Sequence, residues 1–270
     1  MSNEAIQFKK NNQHLDYKSM SLSELNALPK YFGIVNFKIT NTNFFILNVL
    51  NDDSSAVKFF WQDSHDLPSL DLWYDLCKDE GLYLDIGAHT GLYTFTTLKA
   101  NKNNQVIAIE PFYLNLARLQ VNARLNGLEN NIDCKLLALS NKEEDKFFKI
   151  DTPTSYLSKG GKIAKEGEKI QVLKIDSFLD RFEKKKLKAI KIDTEGEDFH
   201  VLAGGTIAIQ KYKPSIIIEV RDSNKFQIQE FLSDLNYSLF NIKDLDTPIN
   251  LKNFNIDGVE NIYAKNNEII

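Results

Sequence analysis

From residue 81 onward, short apolar runs alternate with longer amphipathic segments. Short runs of aliphatic and β-branched residues are typical of buried strands, and amphipathic segments between them are typical of the helices that connect parallel strands. The predicted strands are residues 82–86, 106–110, 132–139, 189–193 and 216–220. The pattern therefore predicts an α/β fold in which helices flank a mostly parallel sheet.

Two of the later segments carry apolar side chains at helical spacing, so each predicts a helix with one apolar face that covers the sheet. The residues at this spacing are Leu114, Ala117, Val121 and Leu125 in the first segment and Ile228, Phe231, Leu232 and Leu235 in the second. The sequences YSLFNI and NIYAK, near the end of the chain, predict two last strands separated by a polar segment.

The first 75 residues have a different pattern. They begin with a polar lead of about 30 residues, which we expect to be partly mobile. Strand-forming residues flank Asn41, Thr42 and Asn43, which predicts a β-hairpin. Apolar positions at helical spacing begin at Leu67. We therefore predict an N-terminal extension over residues 1–75, with a flexible lead, a hairpin and the start of a helix.

The main domain is predicted over residues 76–270, with a charged insertion at about 141–188. This insertion interrupts the alternation of strands and helices, and it holds two β-like stretches, KFFKI and IQVLKI. We expect it to lie over one edge of the sheet. Tyr156 and the pair Gly160-Gly161 within it form either a loop that covers a ligand or an ordinary surface loop.

Composition and charge exclude several classes of protein. The chain has 270 residues, a formal net charge of −4 and only four arginines, so it lacks the dense basic patch of a nucleic-acid-binding protein. Two cysteines without CxxC spacing indicate neither a disulfide scaffold nor a zinc site, and the four histidines lack ligand spacing, so no metal site is predicted. A divalent cation held by the acids at residues 193–197 is the alternative, since hard cations prefer oxygen ligands. The chain also lacks a long uncharged apolar run and an N-terminal signal sequence, so we expect a cytoplasmic protein without a membrane span.

The most informative motif is LDIGAHTG at residues 84–91, a strand that ends in a glycine-bearing turn and opens a helix. Glycines allow a ligand to approach the backbone closely, and the start of a helix offers free N–H groups. Glu110 lies at the end of the next predicted strand, where a carboxylate can accept the hydroxyl protons of a ribose. Together these features favour a site for an adenosine-containing cofactor.

The spacing of the glycines separates two classes of cofactor. A dinucleotide site usually has GxGxxG, whereas this turn reads GxxxG and follows Asp85. A carboxylate at this position would repel a diphosphate and attract a cationic amine. S-adenosylmethionine (SAM) carries an ammonium group and no phosphate, so it is the predicted cofactor. An NAD-dependent oxidoreductase and a non-catalytic nucleotide-binding module remain the alternatives.

A second motif, KIDTEGE at residues 191–197, places three carboxylates directly after a predicted strand. Ligands of open α/β sheets bind at this edge, and crowded acids raise one another's pKa toward the range of a general base. We therefore predict Asp193 and Glu195 as catalytic residues. The alternative for Glu195 and Glu197 is that they cap the following helix, and His200 within that helix is predicted to pack against the sheet.

The order of these motifs resembles the FkbM-type SAM-dependent methyltransferases. The resemblance runs from about residue 45 to residue 220 and includes LDIGAHTGLYTF, VIAIEP followed by LQVNARLN, ALS at 138–140, and KIDTEGED followed by VLAGG. It implies the Rossmann-like class I methyltransferase fold, with a seven-stranded, mostly parallel sheet. It also implies O-methylation of a hydroxyl on a sugar, glycan or secondary metabolite, and hence a small-molecule or glycan acceptor.

The resemblance also implies roles for individual residues. Those expected to bind the cofactor are Asp85, Gly87, His89 and Gly91 around its methionyl part, Glu110 at the ribose, and Phe112, Ala138 and Leu139 around the adenine. His89 stands where the family more often has Asn. Histidine also has a side chain that forms hydrogen bonds, so this capacity is retained. Phe112 has core packing as its alternative, and Asn122 and Asn126 are expected to make structural hydrogen bonds.

Overall fold

The structure is a computed structural model that describes residues 2–64, 66–150, 161–179, 186–256 and 258–268. Tyr156 and Gly160, singled out in the predicted insertion, lie outside the described residues. None of the helices in the described ranges combines the length and the apolarity that crossing a bilayer requires.

Strands and helices alternate along most of the chain. In chain order the strands are β1 (Phe32–Ile39), β2 (Thr42–Val49), β3 (Leu82–Ile86), β4 (Gln105–Ile109), β5 (Ile132–Lys135), β6 (Ala138–Leu139), β7 (Glu144–Ile150), β8 (Gly161–Ala164), β9 (Glu168–Leu173), β10 (Leu187–Ile192), β11 (Ser215–Arg221), β12 (Tyr237–Asn241), β13 (Asp244–Ile249) and β14 (Val259–Asn266). The α-helices are α1 (Ser2–Asn11), α2 (Leu22–Ala27), α3 (Ser54–Gln62), α4 (Leu67–Leu76), α5 (Leu92–Ala100), α6 (Tyr113–Asn126), α7 (Ile175–Leu179), α8 (Asp198–Ala203), α9 (Thr206–Tyr212) and α10 (Lys225–Asp234).

The central sheet has eight strands within the described ranges, in the order β13-β12-β14-β11-β10-β3-β4-β5. The strands from β11 to β5 are parallel to one another, and β14 is antiparallel to both of its neighbours. The predicted Rossmann-like class I methyltransferase fold is therefore confirmed. The sheet has eight strands in the described ranges instead of the predicted seven, because β13 pairs with β12 as a hairpin at the edge. Nearly all side chains of β13 are exposed, so no apolar alternation marked it.

The predicted strand at 132–139 is in fact two strands. Its first half is β5 at the edge of the central sheet, whereas Ala138 and Leu139 form β6, which pairs with β9. The chain leaves the central sheet after Lys135, and Leu136 is largely exposed between the two strands. An unbroken apolar run hid this change of sheet, since the sequence KLLAL shows no turn residue.

The strand β6 belongs to a second sheet of four strands, in the order β6-β9-β7-β8, within the described part of the chain. The β-like stretch KFFKI lies in β7, and the first four residues of IQVLKI lie in β9, whereas its last residue, Ile175, begins α7. A small core joins this sheet to the start of α6. It consists of Phe112, Phe148, Ile170 and Val172.

Helices cover both faces of the central sheet, so its parallel strands are buried on two sides. On one face, alternate residues such as Leu84, Ile190 and Ile218 pack in the core that contains α8, α9 and α10. On the other face, residues such as Tyr83 and Ala189 pack in the core that contains α4, α5 and the hairpin. This double burial explains why the strands read as continuous apolar runs.

The N-terminal region consists of helices and the hairpin. Helices α1 and α2 pack around Trp61 of α3, and Ser21 and Glu24 form a capping box at the start of α2. The link between β1 and β2 is Thr40 and Asn41, with φ of 48° at Thr40, rather than the predicted Asn41, Thr42 and Asn43. Thr42 and Asn43 pair within β2.

The outer edge of β2 is bound by side chains of α6 instead of another strand. The amide of Asn126 accepts from Phe45 N at 2.8 Å and donates to Phe45 O at 2.7 Å. Asn122 accepts from Leu47 N at 2.9 Å, and Arg118 donates to Leu47 O at 2.9 Å. The two asparagines therefore have the structural role expected of them.

Asn122 also links the hairpin to the motif at 84–91, because its Nδ2 donates to Thr90 O at 3.0 Å. A second link runs from the Thr90 hydroxyl to Asp53 Oδ2, at 2.6 Å, and Asp53 caps α3. A buried ion pair at 3.0 Å between Arg118 and Asp52 supports the same region. The N-terminal residues are thus fixed to the turn after β3.

Replacing Asn122 with Ala is expected to lower the free energy of unfolding by about 1–3 kcal/mol, because it leaves Leu47 N–H and Thr90 C=O without their partner. Urea denaturation measures this change. The matched control is Gln120→Ala on the exposed side of the same helix, for which we expect no more than about 0.5 kcal/mol. Equal stability of the two variants would contradict the linking role of Asn122.

Candidate functional site

A cavity of about 480 Å³ opens at the carboxyl ends of β3, β4 and β10. This is the edge of a parallel sheet at which ligands bind in open α/β folds, and the volume is within the range of small-molecule sites. Eight of the ten predicted site residues line it: Asp85, Gly87, His89, Glu110, Ala138, Leu139, Asp193 and Glu195. Gly91 and Phe112 do not.

Gly87 forms the closest contact between two loops of the cavity. Its φ is +82°, and a Cβ at this position would lie 1.7 Å from the carbonyl oxygen of Asp193. The amide of Asp193 in turn donates to Ile86 O at 3.0 Å. Glycine is required here because the turn after β3 and the loop after β10 touch backbone to backbone. The sequence suggested close approach of a ligand, and the structure shows close approach of the neighbouring loop.

Asp85 is a buried acid at the end of β3, with 2% of its surface exposed. Its Oδ2 accepts from the Thr94 hydroxyl at 2.6 Å. Burial raises the pKa of Asp85 to about 6, against the opposing effects of the Thr94 hydrogen bond and of Lys191. A carboxylate with a raised pKa gains from a cation nearby, so this position suits a positively charged ligand group.

Glu110 is held rigidly at the end of β4. Its Oε2 accepts from His89 N at 2.9 Å, and its Oε1 accepts from Phe112 N at 3.0 Å and from Asn115 Nδ2 at 3.3 Å. Burial raises the pKa of Glu110, and these donors oppose the rise. A carboxylate has about four lone-pair positions, so Oε2 keeps the capacity to accept a ligand hydroxyl.

Gly91 and Phe112 lie behind the cavity wall. Gly91, with φ of +103°, precedes α5, and a Cβ there would meet the ring of Phe95 at 2.6 Å. Phe112 is 2% exposed and packs against Phe148 in the small core of the second sheet. This placement does not support a contact between Phe112 and a ligand ring. Phe148, which the sequence did not single out, lines the cavity instead.

Asp198 shapes the acidic loop after β10. It is fully buried, and its carboxylate accepts from Thr194 N at 2.8 Å, from the Thr194 hydroxyl at 3.0 Å and from Gly196 N at 3.2 Å. Glu195, between these donors, has φ of +53°, an uncommon conformation for a residue other than glycine. The loop therefore presents its acids in a fixed arrangement rather than as a solvated turn.

Arg221, at the end of β11, binds two acids of this loop region. Its Nη2 lies 3.0 Å from Glu195 and 2.6 Å from Glu219. Burial raises the pKa of Glu195, with a further rise from Asp193, and Arg221 opposes both effects. The pKa of Glu219 rises to about 7 for the same reasons, burial first and Asp193 second. Crowding of acids therefore contributes as predicted, but burial is the larger cause.

The structure bears on two predictions about the helix after this loop: that Glu197 caps it and that His200 packs against the sheet. Glu197 lines the cavity and precedes α8, without a side-chain hydrogen bond to the helix start. The sequence predicted that His200 packs against the sheet, and this prediction is wrong. It is exposed, and its Nδ1 lies 3.3 Å from Asn141 Nδ2. The helix turns His200 outward because Val201 and Leu202 occupy its buried face.

Sequence reasoning missed several residues of the cavity. They include Ser54, Ser55 and Asp66 from the N-terminal region, Tyr93 from α5, and Lys191 from β10. The N-terminal residues carry no motif, and only the fold brings them to the sheet edge. Lys191 had a signal, because a lysine inside an apolar strand that is covered on both faces must be buried or paired. Among the described residues, no group of His, Cys, Asp and Glu is arranged to hold a metal ion.

The family model for the methyltransferase FkbM domain matches residues 85–242, which is more than half of the chain. The chain belongs to the FkbM methyltransferase family. The cofactor of this family member is therefore SAM. No curated protein matches the chain.

Solved methyltransferase structures resemble the chain at low identity. The methyltransferase FkbM from Methylobacillus flagellatus KT is 16% identical, with a TM-score of 0.49, and the match covers 78% of this chain and 53% of that one. This family member therefore spans about half the length of that protein. A SAM-dependent methyltransferase from Agrobacterium tumefaciens is 9% identical, with a TM-score of 0.48, and the match covers 92% of this chain and 80% of that one. TYW2 from M. jannaschii in complex with SAM is 12% identical, with a TM-score of 0.43 and coverage of 88% and 92%.

Replacing Asp85 with Asn is expected to stabilise this FkbM-family protein in the absence of SAM. The pKa of Asp85 is about 6 in the folded state and 3.8 ordinarily, so its ionisation opposes folding above about pH 6 and has little effect near pH 4. The difference corresponds to a gain of up to about 3 kcal/mol at pH 8.

Urea denaturation at pH 8 and at pH 4 measures this effect. The control is Asp79→Asn, an exposed acid before β3, which should show no comparable dependence on pH. A loss of stability at pH 8 in the Asp85 variant would mean that Asp85 contributes favourably to the fold rather than being held against it.

Proposed function

We propose that this protein transfers the methyl group of SAM to a hydroxyl of a sugar, glycan or secondary metabolite. The observation that carries the proposal is the presence of two acid sets in one cavity. Asp85 and Glu110 are 2% and 6% exposed, whereas the side chains of Asp193 and Glu195 are 39% and 47% exposed. The buried set suits a cofactor that is enclosed, and the exposed set suits an acceptor that enters from solvent.

The residues of the buried set fit the groups of SAM. Asp85 would bind the methionyl ammonium, because a buried carboxylate with a raised pKa is stabilised by a cation. Glu110 would accept from a ribose hydroxyl through Oε2. The apolar wall of Ala138, Leu139 and Phe148 would face the adenine.

When bound, SAM supplies an electrophilic methyl group on a sulfonium. The acceptor oxygen would take up that methyl group, and the sulfur would keep the electron pair of the broken carbon–sulfur bond. The hydroxyl proton passes to a carboxylate at the cavity opening, Asp193 or Glu195. Positioning of the two reactants can supply about 7–11 kcal/mol of the rate enhancement, and the base can add roughly 10²–10⁴-fold.

The charges of the cavity disfavour an anionic acceptor. Its acids outnumber its basic residues: the acids are Asp66, Asp85, Glu110, Asp193, Glu195 and Glu197, and the basic residues are His89 and Lys191. Such a surface repels the phosphates of a nucleic acid and leaves hydrogen-bond acceptors for hydroxyl groups. A small molecule or a glycan is therefore the acceptor that we propose.

Replacing Glu110 with Ala is expected to weaken SAM binding by about tenfold or more, because it removes a charged hydrogen-bond acceptor and releases the N–H groups of His89 and Phe112. Isothermal titration calorimetry with SAM measures the change. The control is Glu129→Ala, which lies just before β5 at the amino ends of the strands and should bind SAM as the wild type does. An unchanged affinity in the Glu110 variant would refute its role at the ribose.

Replacing Asp193 with Asn, or Glu195 with Gln, should leave SAM affinity within about threefold of the wild type and lower methyl transfer by about 10²-fold or more at whichever residue is the base. Transfer is measured with methyl-labelled SAM and fractionated extract of the source cells, which also identifies the acceptor. Asp79→Asn is the control. If neither substitution lowers transfer, the catalytic assignment of both residues is wrong.

The alternatives have their own outcomes in these measurements. An NAD-dependent oxidoreductase would bind NADH tightly and would not respond to S-adenosylhomocysteine. A non-catalytic module would bind SAM but label no fraction of the extract. Family membership supports the methyltransferase over both alternatives.

A further inference from the structure

Lys191 is a charged side chain within the wall of the cavity. It is 1% exposed and lies in β10 between Ile190 and Ile192, which pack in the core on the opposite face of the sheet. Lysine is almost never fully buried unless it is paired. A buried lysine at this position is therefore expected to have a role beyond packing.

The three protons of the Lys191 ammonium have three acceptors. Nζ lies 3.0 Å from Asn261 Oδ1, 3.3 Å from Asp193 Oδ2 and 3.3 Å from the carbonyl oxygen of Ile192. The ring centroid of Tyr93 lies 5.0 Å away and stabilises the same charge. An ammonium group has three donors, so Lys191 acts through these partners and not as a donor to a ligand.

Lys191 is charged in spite of its burial. Burial lowers the pKa of Lys191, but Asp193, Asp66, Glu219 and Asp198 raise it by more, so that its pKa lies above the ordinary value. These acids come from four places: the loop after β10, the residues before α4, the strand β11, and the start of α8. All four acids therefore stabilise the positive charge of the Lys191 ammonium.

The strand β3 places a further acid beside this charge. Lys191 is the register partner of Asp85 in the parallel pair β10 and β3, so both side chains project from the same face of the sheet. Lys191 favours the ionised form of Asp85, whereas Asp193 disfavours it. The other polar groups that face Asp85 are the Thr94 hydroxyl from α5 and the Cys77 thiol after α4.

We infer that Lys191 is a positioning residue for both halves of the site: it fixes one oxygen of Asp193 at the acceptor side and supplies the positive charge that keeps Asp85 a carboxylate for the cofactor. The inference rests on the proposed function, since that function assigns Asp85 to SAM and Asp193 to the acceptor. One buried cation would then act on an acid of each half of the site.

The first test is the pH dependence of SAM binding. Wild-type affinity should fall below about pH 6 as Asp85 takes up a proton. In Lys191→Met the same fall should begin about one pH unit higher, because the opposite charge that favours the carboxylate is gone. Affinity should then be about twofold lower than that of the wild type at pH 7 and about tenfold lower at pH 5. Titration calorimetry from pH 5 to pH 9, with affinities given relative to the wild type, measures both effects.

Lys188→Met is the matched control. Lys188 lies in the same strand, but it is more exposed and pairs with Asp79 at 3.3 Å, so its removal should leave the pH dependence unchanged. Lys191→Gln is a second neutral variant that keeps a polar side chain in case the Met variant does not fold. In an Asp85→Asn background, the fall in affinity that reflects Asp85 should be absent whether or not Lys191 is replaced.

The second test is methyl transfer at saturating SAM to the fraction that the wild type labels. Lys191→Met should transfer at least about tenfold more slowly than the wild type, because Asp193 has lost the partner that holds Oδ2. Lys188→Met should transfer at the wild-type rate.

The outcomes separate the inference from the proposed function. If the wild type binds no SAM or labels no fraction, the proposed function fails whatever Lys191 does. If the wild type binds and transfers while both neutral Lys191 variants behave as Lys188→Met does, the role of Lys191 is refuted and the proposed function stands. A loss of transfer without a shift in the binding transition would refute the half of the inference that concerns Asp85.

Discussion

The backbone contact between Gly87 and Asp193 is the constraint that determines the geometry of the site. The strands β3 and β10 are parallel neighbours, so they end at one edge of the sheet and the loops that follow must pass each other. At this point there is no room for a side chain on the first loop, and the amide of Asp193 closes the contact by bonding to Ile86 O. The turn proposed for the cofactor and the loop proposed for the acceptor consequently form one rigid unit.

The site also depends on acids kept out of water. Ionising Asp85 in the folded chain is unfavourable, as its raised pKa shows, and Glu110 is buried in the same way. Natural proteins often hold such unfavourable groups at functional sites, where a ligand relieves the cost. The neighbouring hydrogen bonds from Thr94, His89 and Phe112 limit this cost without removing it. Without a bound ligand, the folded protein is thus less stable than it would be with neutral side chains at these positions.

Much of the fold could be predicted because local and long-range signals agree. Central strands such as β3 and β11 are covered on both faces, so their apolar runs are unbroken and bounded by turns. The prediction of strands failed where the order of apolar and polar residues does not reflect how the chain is buried. The strand β13 is exposed on nearly all of its length, and the run through Ala138 and Leu139 stays apolar while it changes from one sheet to another.

The site was predictable where residues stand at the ends of strands, since topology alone brings Asp85, Glu110 and Asp193 to one edge. Residues from distant parts of the chain, such as Ser54 and Asp66, reach the cavity only through the packing of the N-terminal region. Whether Phe112 would face the cavity or the core also depends on packing, because the second sheet supplies the apolar partners that hold its ring.

The side chains of α6 that bind the edge of β2 have a consequence for the protein's behaviour at high concentration. An unpaired strand edge is a template on which another chain can add a strand, which leads to domain swapping or aggregation. Here the outward-facing groups of Phe45 and Leu47 are already occupied by Asn126, Asn122 and Arg118. The helix therefore ends the two-stranded sheet on that side, and it protects a strand with an exposed aromatic residue, Phe45, from pairing with another molecule.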